Sequence, residues 1–317
     1  MPIYRKINLL ALLLFLALSG CEKETNVELS AKNPQLVLLG EFNQQDDALI
    51  NLSTSVFSAA AAGFPNVEDA QISLLDQNNT LIEKYLYMGK GNYMGKKAIA
   101  GKNYKLSVAY QGKTYQAETT IPPAFQLNLL EQDSTYMEAE IVDLSTEPNF
   151  YTFELRANRY TVDRYYLANG QKVKVNSEAE FTALLKINPA LVLQRDTTFD
   201  AKFDRLFITT DDNRTENVRF NVLKDHSGRI FLTDKTFNGN KTTLEIDYDQ
   251  STLKAENMRY TLVVKSTSAA YFNYLYSIDL QAAKSIVGVL DVPVKGNISD
   301  AFGIWGAAYI QKIIIKK

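Results

Sequence analysis

Histidine, cysteine and tryptophan each occur once in 317 residues, at His226, Cys21 and Trp305. One histidine and one cysteine cannot build the common zinc sites, which draw three or four ligands mostly from those two residue types. No disulfide can form within the chain, so stability has to come from an apolar core. A Ser-His-Asp triad would need His226 as its base, yet Asp225-His226-Ser227-Gly228 reads as a polar turn between strands, and no Gly-x-Ser-x-Gly elbow occurs. A formal net charge of −2, with no basic run interleaved with aromatics, excludes nucleic acid as a partner. Long apolar runs are absent apart from Leu9 to Leu18. At about 10 residues this run is half of what a membrane-spanning helix needs.

That single run has a meaning set by its flanks. Arg5 and Lys6 precede it, and Ser19-Gly20-Cys21 comes directly after it, the order of a signal peptide with a small-residue cleavage site. The string Leu18-Ser19-Gly20-Cys21 resembles the lipobox of bacterial lipoproteins, which implies removal of residues 1–20 and acylation of Cys21. Several acyl chains on one cysteine anchor stably, at about 0.8 kcal/mol per buried methylene. A secreted soluble chain with an incidental cysteine, or an uncleaved anchor, is the alternative reading. Residues 21–34 are polar and form a lipidated tether.

Beyond residue 34 the apolar residues recur with a period of two. Strands are expected over Gln35 to Phe42, over Ala70 to Leu75, and in a hairpin from Asn103 to Ile121 that turns at Gln111-Gly112. Pro122-Pro123 stops that hairpin, because proline cannot donate to a ladder. A boundary there makes 35–122 an immunoglobulin- or fibronectin-like β-sandwich, without the usual cysteines. Residues 123–317 form a second β-rich domain. Its strands are expected at Tyr136 to Val142, Phe150 to Ala157, Arg219 to Leu223, Thr243 to Tyr248, Arg259 to Val264 and Phe302 to Ile315. Two short helices interrupt them, one capped by Ser177 with Glu180 and ended by Pro189, the other from about Ser268 to Lys284. The fold class is therefore mainly β.

Several stretches together resemble one family, the lipoproteins of Bacteroidota described as domain of unknown function 4249. They are the lipobox, Gly101-Lys102-Asn103-Tyr104 with Pro122-Pro123, Phe231 to Gly239, Tyr271 to Leu275, and the closing segment Asn297 to Ala307. Ala301 and Trp305 depart from the usual glycine and phenylalanine, and 159–199 looks like an insertion. The resemblance implies an outer-membrane lipoprotein beside a TonB-dependent receptor, with no mechanism attached.

The remaining candidates are weaker in kind. Thr210-Asp211-Asp212-Asn213 offers oxygens for calcium but lacks the Asp-x-Asp-x-Asp-Gly spacing, so a turn is expected. Gly89, Gly91 and Gly95 come after a strand and open no helix, which makes them a turn rather than a phosphate loop. Glycoside hydrolysis needs only two carboxylates, and 36 acids mark no pair. Asp133-Ser134-Thr135 and Asp196-Thr197-Thr198 resemble O-glycosylation sites of exported Bacteroidota proteins, giving Ser134 and Thr197 as candidates. Glu22-Lys23-Glu24 resembles an export signal to the cell surface, although an ordinary tether has the same composition. Eighteen tyrosines suit recognition of protein or glycan, while Trp305 between glycines is expected in the core. No cofactor and no metal is expected. The expected role is a non-catalytic binding or accessory subunit of a TonB-dependent transporter, taking a glycan or peptide ligand. The alternatives are an adhesin or envelope-structure protein and, third, a polysaccharide hydrolase.

Overall fold

A computed structural model describes residues 34–56, 63–219, 221–253, 255–287 and 293–316. Cys21 and Glu22-Lys23-Glu24 lie outside the described residues. In chain order the first strands are β1 (Leu36–Asn43), β2 (Ala48–Thr54), β3 (Gln71–Asp76), β4 (Leu81–Lys84), β5 (Leu86–Gly89), β6 (Asn92–Gly95), β7 (Asn103–Tyr110) and β8 (Lys113–Thr120). The chain continues with β9 (Phe125–Gln132), β10 (Tyr136–Asp143), β11 (Phe150–Ala168), β12 (Gln171–Val175), α1 (Glu178–Ile187), β13 (Gln194–Phe199), β14 (Asp204–Leu206) and β15 (Ile208–Thr209). It closes with α2 (Glu216–Arg219), α3 (Asn221–His226), β16 (Ile230–Thr233), β17 (Lys241–Tyr248), β18 (Met258–Thr267), α4 (Ala269–Val287) and β19 (Phe302–Ile315). Strand makes up 53 % and helix 15 %, so the protein is mainly β.

One large sheet runs through the molecule in the order β12-β11-β18-β19-β1-β2-β6-β5. A four-stranded sheet, β4-β3-β7-β8, covers one half of it and another, β15-β17-β10-β9, covers the other half. The first core lies between β1, β2 and the β3/β7/β8 sheet, where Leu38, Ile50 and Leu52 meet Ile72, Leu106 and Val108. The second lies between β11, β18 and the β10/β17 sheet, with Phe153, Leu155 and Leu262 against Met137, Ile141 and Ile246. On the opposite face of the large sheet, α4 lays Tyr271, Phe272 and Leu275 over Phe231, Val263 and Ile310. Strand β18 is thus buried on both faces from Tyr260 to Thr267, with Leu262-Val263-Val264 as its apolar centre.

Strand β19 joins the two halves. It pairs parallel with β1 and antiparallel with β18. Its odd-numbered residues serve first one core and then the other: Trp305 and Ala307 belong to the first, Tyr309, Ile313 and Ile315 to the second. Trp305 is fully buried and stacks on Phe42, ring centroids 5.4 Å apart. Side chains extend the ladder where the backbone cannot. Gln44 donates to the Ile310 carbonyl at 2.8 Å and accepts from its N–H at 3.0 Å. Asn297 does the same for Trp305, at 3.0 and 2.9 Å.

The hairpin at Gln111-Gly112 forms with φ of +49° and +73°, the pair of positive values that a two-residue type I′ turn needs. The Ser177 cap forms as well, its hydroxyl accepting from Glu180 N at 3.1 Å, while the Glu180 carboxylate takes Asn176 N. Two expectations are corrected. Arg219 and Asn221 to Leu223 are not strand, because they belong to the short helices α2 and α3, and four α-helices are present among the described residues rather than two. A short apolar run does not distinguish the two periods, and Asn217 decides the outcome by bonding Arg229 O and Phe231 N. His226 accordingly ends α3, exposed, rather than sitting in a turn between strands.

Gly303 has φ of +102°, and a Cβ there would meet the Leu38 carbonyl oxygen at 1.9 Å. Gly101 has φ of +71° with open space around it. Gly101→Ala should therefore lose about 1 kcal/mol, the left-handed strain alone. Gly303→Ala should lose more than about 3 kcal/mol, since it also pushes β19 off β1. Equal losses in urea denaturation would show that the close approach of the two backbones contributes nothing.

Candidate functional site

The face of the large sheet beneath α4 is apolar at its centre and charged toward one side. Alternation delivers the charges: Glu41 from β1, Glu154 and Arg156 from β11, and Lys265 from β18 all point away from the two cores. Arg229 enters just before β16, and α4 brings Tyr271 and Asp279 down onto the group. Glu154 accepts from Arg156 Nε and Arg229 Nε, each at 2.8 Å. Arg229 Nη1 lies 2.8 Å from Asp279, whose other oxygen takes the Ser227 hydroxyl at 2.7 Å. Lys265 reaches over β19 to ion-pair with Glu41, which also accepts the Tyr271 hydroxyl at 2.6 Å. Glu154, Arg229, Lys265 and Asp279 are all buried. Arg205 also approaches Asp279, at 3.7 Å, so each carboxylate of the group has at least one cation beside it, as buried charge requires.

This pairing sets the electrostatics. Burial would raise the Glu41 carboxyl, but the Lys265 charge and the hydrogen bonds from Lys265 and Tyr271 outweigh it and hold Glu41 below the usual carboxylate range. Glu154 is also held well below that range, burial being overcome by Arg229, Lys265 and Arg156. Burial and the Glu41 carboxylate push the Tyr271 phenol well up, so it remains a donor at any physiological pH.

Glu41 and Tyr271 are the members of this group that open on a cleft. The cleft is about 570 Å³, with Glu41, Tyr271, Tyr274 and Leu275 in its wall and Asp46 and Asp47 from the β1–β2 turn at its rim. That turn is fixed by Asn43, whose Oδ1 accepts from the backbone of Gln45 and Asp46, and by Gln44 on β19. The result is a tyrosine-walled cleft with three carboxylates, of which Glu41 is fixed and ionised in its pairing with Lys265 and Asp46 lies 3.8 Å from Lys312. It suits recognition of a cationic group and is unsuited to a general acid, which must carry its proton near neutral pH.

Only part of this site was legible in the sequence. Tyr271 and Tyr274 stood out on the helix, while Glu154 and Lys265 could have been noticed as charges inside apolar strands, a pattern that calls for buried partners. Asp211 ion-pairs with Lys224 of α3 and Asp212 with Arg214 of the turn itself, so both have partners. Gly89 to Gly91 form the β5–β6 turn. Ser134 lies exposed between β9 and β10, and Thr197 exposed on β13, far apart in the chain and on different sheets. Asp234, in the Phe231 to Gly239 stretch, is buried and accepts Asn149 N at 2.7 Å, a fixed corner rather than a reactive group. Among the described residues no helix is long and apolar enough to cross a membrane.

Fold and site together define a mainly β protein of two cores fused by a shared strand, with a buried ion network feeding one acidic cleft. A family profile, Domain of unknown function (DUF4249), matches residues 22–313, and the chain belongs to this family. A search of curated proteins returned no match. Among solved structures, a DUF4785 family protein from Legionella pneumophila aligns at 7 % identity over 73 % of this chain and 52 % of that one, TM-score 0.23. The chain thus spans about half the length of that protein. The major pilin subunit of Bacillus cereus aligns at 9 % identity over 74 % and 64 %, TM-score 0.15.

Lys265→Met would leave Glu41 and Glu154 short of a cation and should lower stability at pH 7 by about 3 kcal/mol. In the native protein both carboxyls titrate below the ordinary value of 4.5. Their contribution is therefore full above 4.5 and is lost as pH falls through the depressed folded values. In the variant, burial dominates at Glu41 and raises it, so Glu41 takes a proton and the gap to wild type should narrow between pH 7 and pH 4. A gap that stays constant in urea titrations would show that Lys265 acts by packing alone.

Proposed function

We propose that this chain is an outer-membrane lipoprotein, anchored through acylated Cys21, that acts as a non-catalytic binding or accessory subunit beside a TonB-dependent transporter. The observation that carries the binding role is the preorganised cleft. Glu41 is locked by Lys265 and Tyr271, so a cationic group on a ligand or partner meets a fixed charge at little entropic cost. Asp46 and Asp47 at the rim add the charge that steers encounter. Family membership and the Leu18-Ser19-Gly20-Cys21 string support the anchor and the transporter setting. In this reading the first half is an immunoglobulin-like sandwich. It stands on a tether of 13 residues after Cys21, which can span at most about 45 Å, so the cleft works close to the membrane, on its outer face if Glu22-Lys23-Glu24 acts as an export signal.

A C-terminally tagged chain, recovered from outer membranes in mild detergent, should bring down a TonB-dependent receptor near stoichiometry by mass spectrometry. Asp46→Asn combined with Asp47→Asn should weaken that recovery about tenfold without lowering the melting temperature. Cys21→Ser should lose both a metabolic acyl label and membrane association. Recovery of the wild-type chain alone would reject the stable complex and put adhesion or envelope structure first.

A further inference from the structure

The insertion builds a second pocket, of different chemistry from the acidic cleft. Strand β11 runs on past the sheet for 19 residues in all, and β12 and β13 pair with its extension. Where this projection leaves the body, Tyr160, Val162, Thr197 and Phe199 form one wall of a cavity of about 440 Å³. Arg259 and Tyr260 of β18, with Ile314 and Ile315 of β19, form the other. No carboxylate lines it.

Arg259 is the unusual residue. Its guanidinium lies 3.6 Å over the ring of Phe199, which is itself 5.7 Å from Tyr160. Among the described residues no carboxylate lies within ion-pairing distance of it, and its buried Nε has no acceptor. Nearby arginines are paired: Arg195 and Arg164 with Glu178, and Arg156 with Glu154. Stacking on Phe199 holds the Arg259 plane in place and its Nε lacks an acceptor, and a planar guanidinium matches a carboxylate in two parallel hydrogen bonds. The apolar walls and the Thr197 and Tyr160 hydroxyls surround that point charge with the mixed surface that a hydroxylated ring presents.

We infer that this pocket binds a carboxylate-bearing sugar, with Arg259 taking the carboxylate and the Tyr160–Thr197 wall taking the ring. The inference is independent of the anchor and of the transporter, because it uses a different part of the molecule. It also gives the insertion a role: the projection supplies half of a specificity pocket whose other half belongs to the common sheet.

The test uses the full chain in detergent, made in a host that leaves Thr197 unmodified, and calorimetric titration with a hexuronic acid oligomer and with its methyl ester. The acid should bind at least tenfold more tightly than the ester, which has the same shape without the charge. Arg259→Gln should weaken acid binding at least tenfold and leave the weak ester binding unchanged. Equal affinity for acid and ester, or no heat from either at millimolar concentration, would overturn the inference. The wild-type comparison decides it even if the variant folds poorly.

Discussion

The parallel ladder between β1 and β19 holds together residues from the two ends of the described chain, and the geometry of everything else depends on it. Without β19, the first core would lack Trp305 and Ala307, and Phe42 would lose its stacking partner. The second core would lose Tyr309, Ile313 and Ile315, and α4 would lose half of the floor it packs on. The ladder is possible only because Gly303 brings its backbone against Leu38 without a side chain, and because Gly306 leaves room for the Tyr271 ring, which a Cβ would meet at 2.3 Å. Closing so long a loop carries an entropic cost that the burial along β19 has to offset. Pro122-Pro123 does not separate the cores, since Ile298, Trp305 and Ala307 complete the first one and both share one sheet.

The charged group under α4 depends on the same strand. Lys265 reaches Glu41 across β19, so its pairing is correct only when β18, β19 and β1 lie in that order. A buried network of this kind adds little net stability over an apolar replacement, but a wrong register would leave a charge unpaired at a cost of several kcal/mol. The arrangement therefore acts on specificity of docking: it places α4 at one rotation and fixes Tyr271 and Tyr274 on the edge of the cleft.

Local signals were legible in the sequence and long-range ones were not. The hairpin at Gln111-Gly112, the Ser177 cap and the strand from Phe302 are signalled by neighbours in the chain. The helices at 216–219 and 221–226 were missed because an apolar stretch of a few residues has no resolvable period, and because Asn217 is fixed by β16 rather than by its neighbours. The acidic cleft was invisible for a related reason. Glu41 and Tyr271 are 230 positions apart, and nothing in either local stretch indicates the other.

The segments that carry the family resemblance turn out to do structural work. Asn297 completes the ladder at Trp305, Gly303 and Gly306 permit close approach, and Asp234 fixes the Asn149 corner. The groups that face solvent in the two cavities come mostly from elsewhere: Asp46 and Asp47 from a turn, and Tyr160, Thr197 and Phe199 from the insertion. A scaffold specified by its backbone contacts can keep the same fold while loops of this kind change what it binds. On that physical ground, identity of the ligand belongs to the turn and the insertion, and the resemblance to a family fixes the frame that holds them.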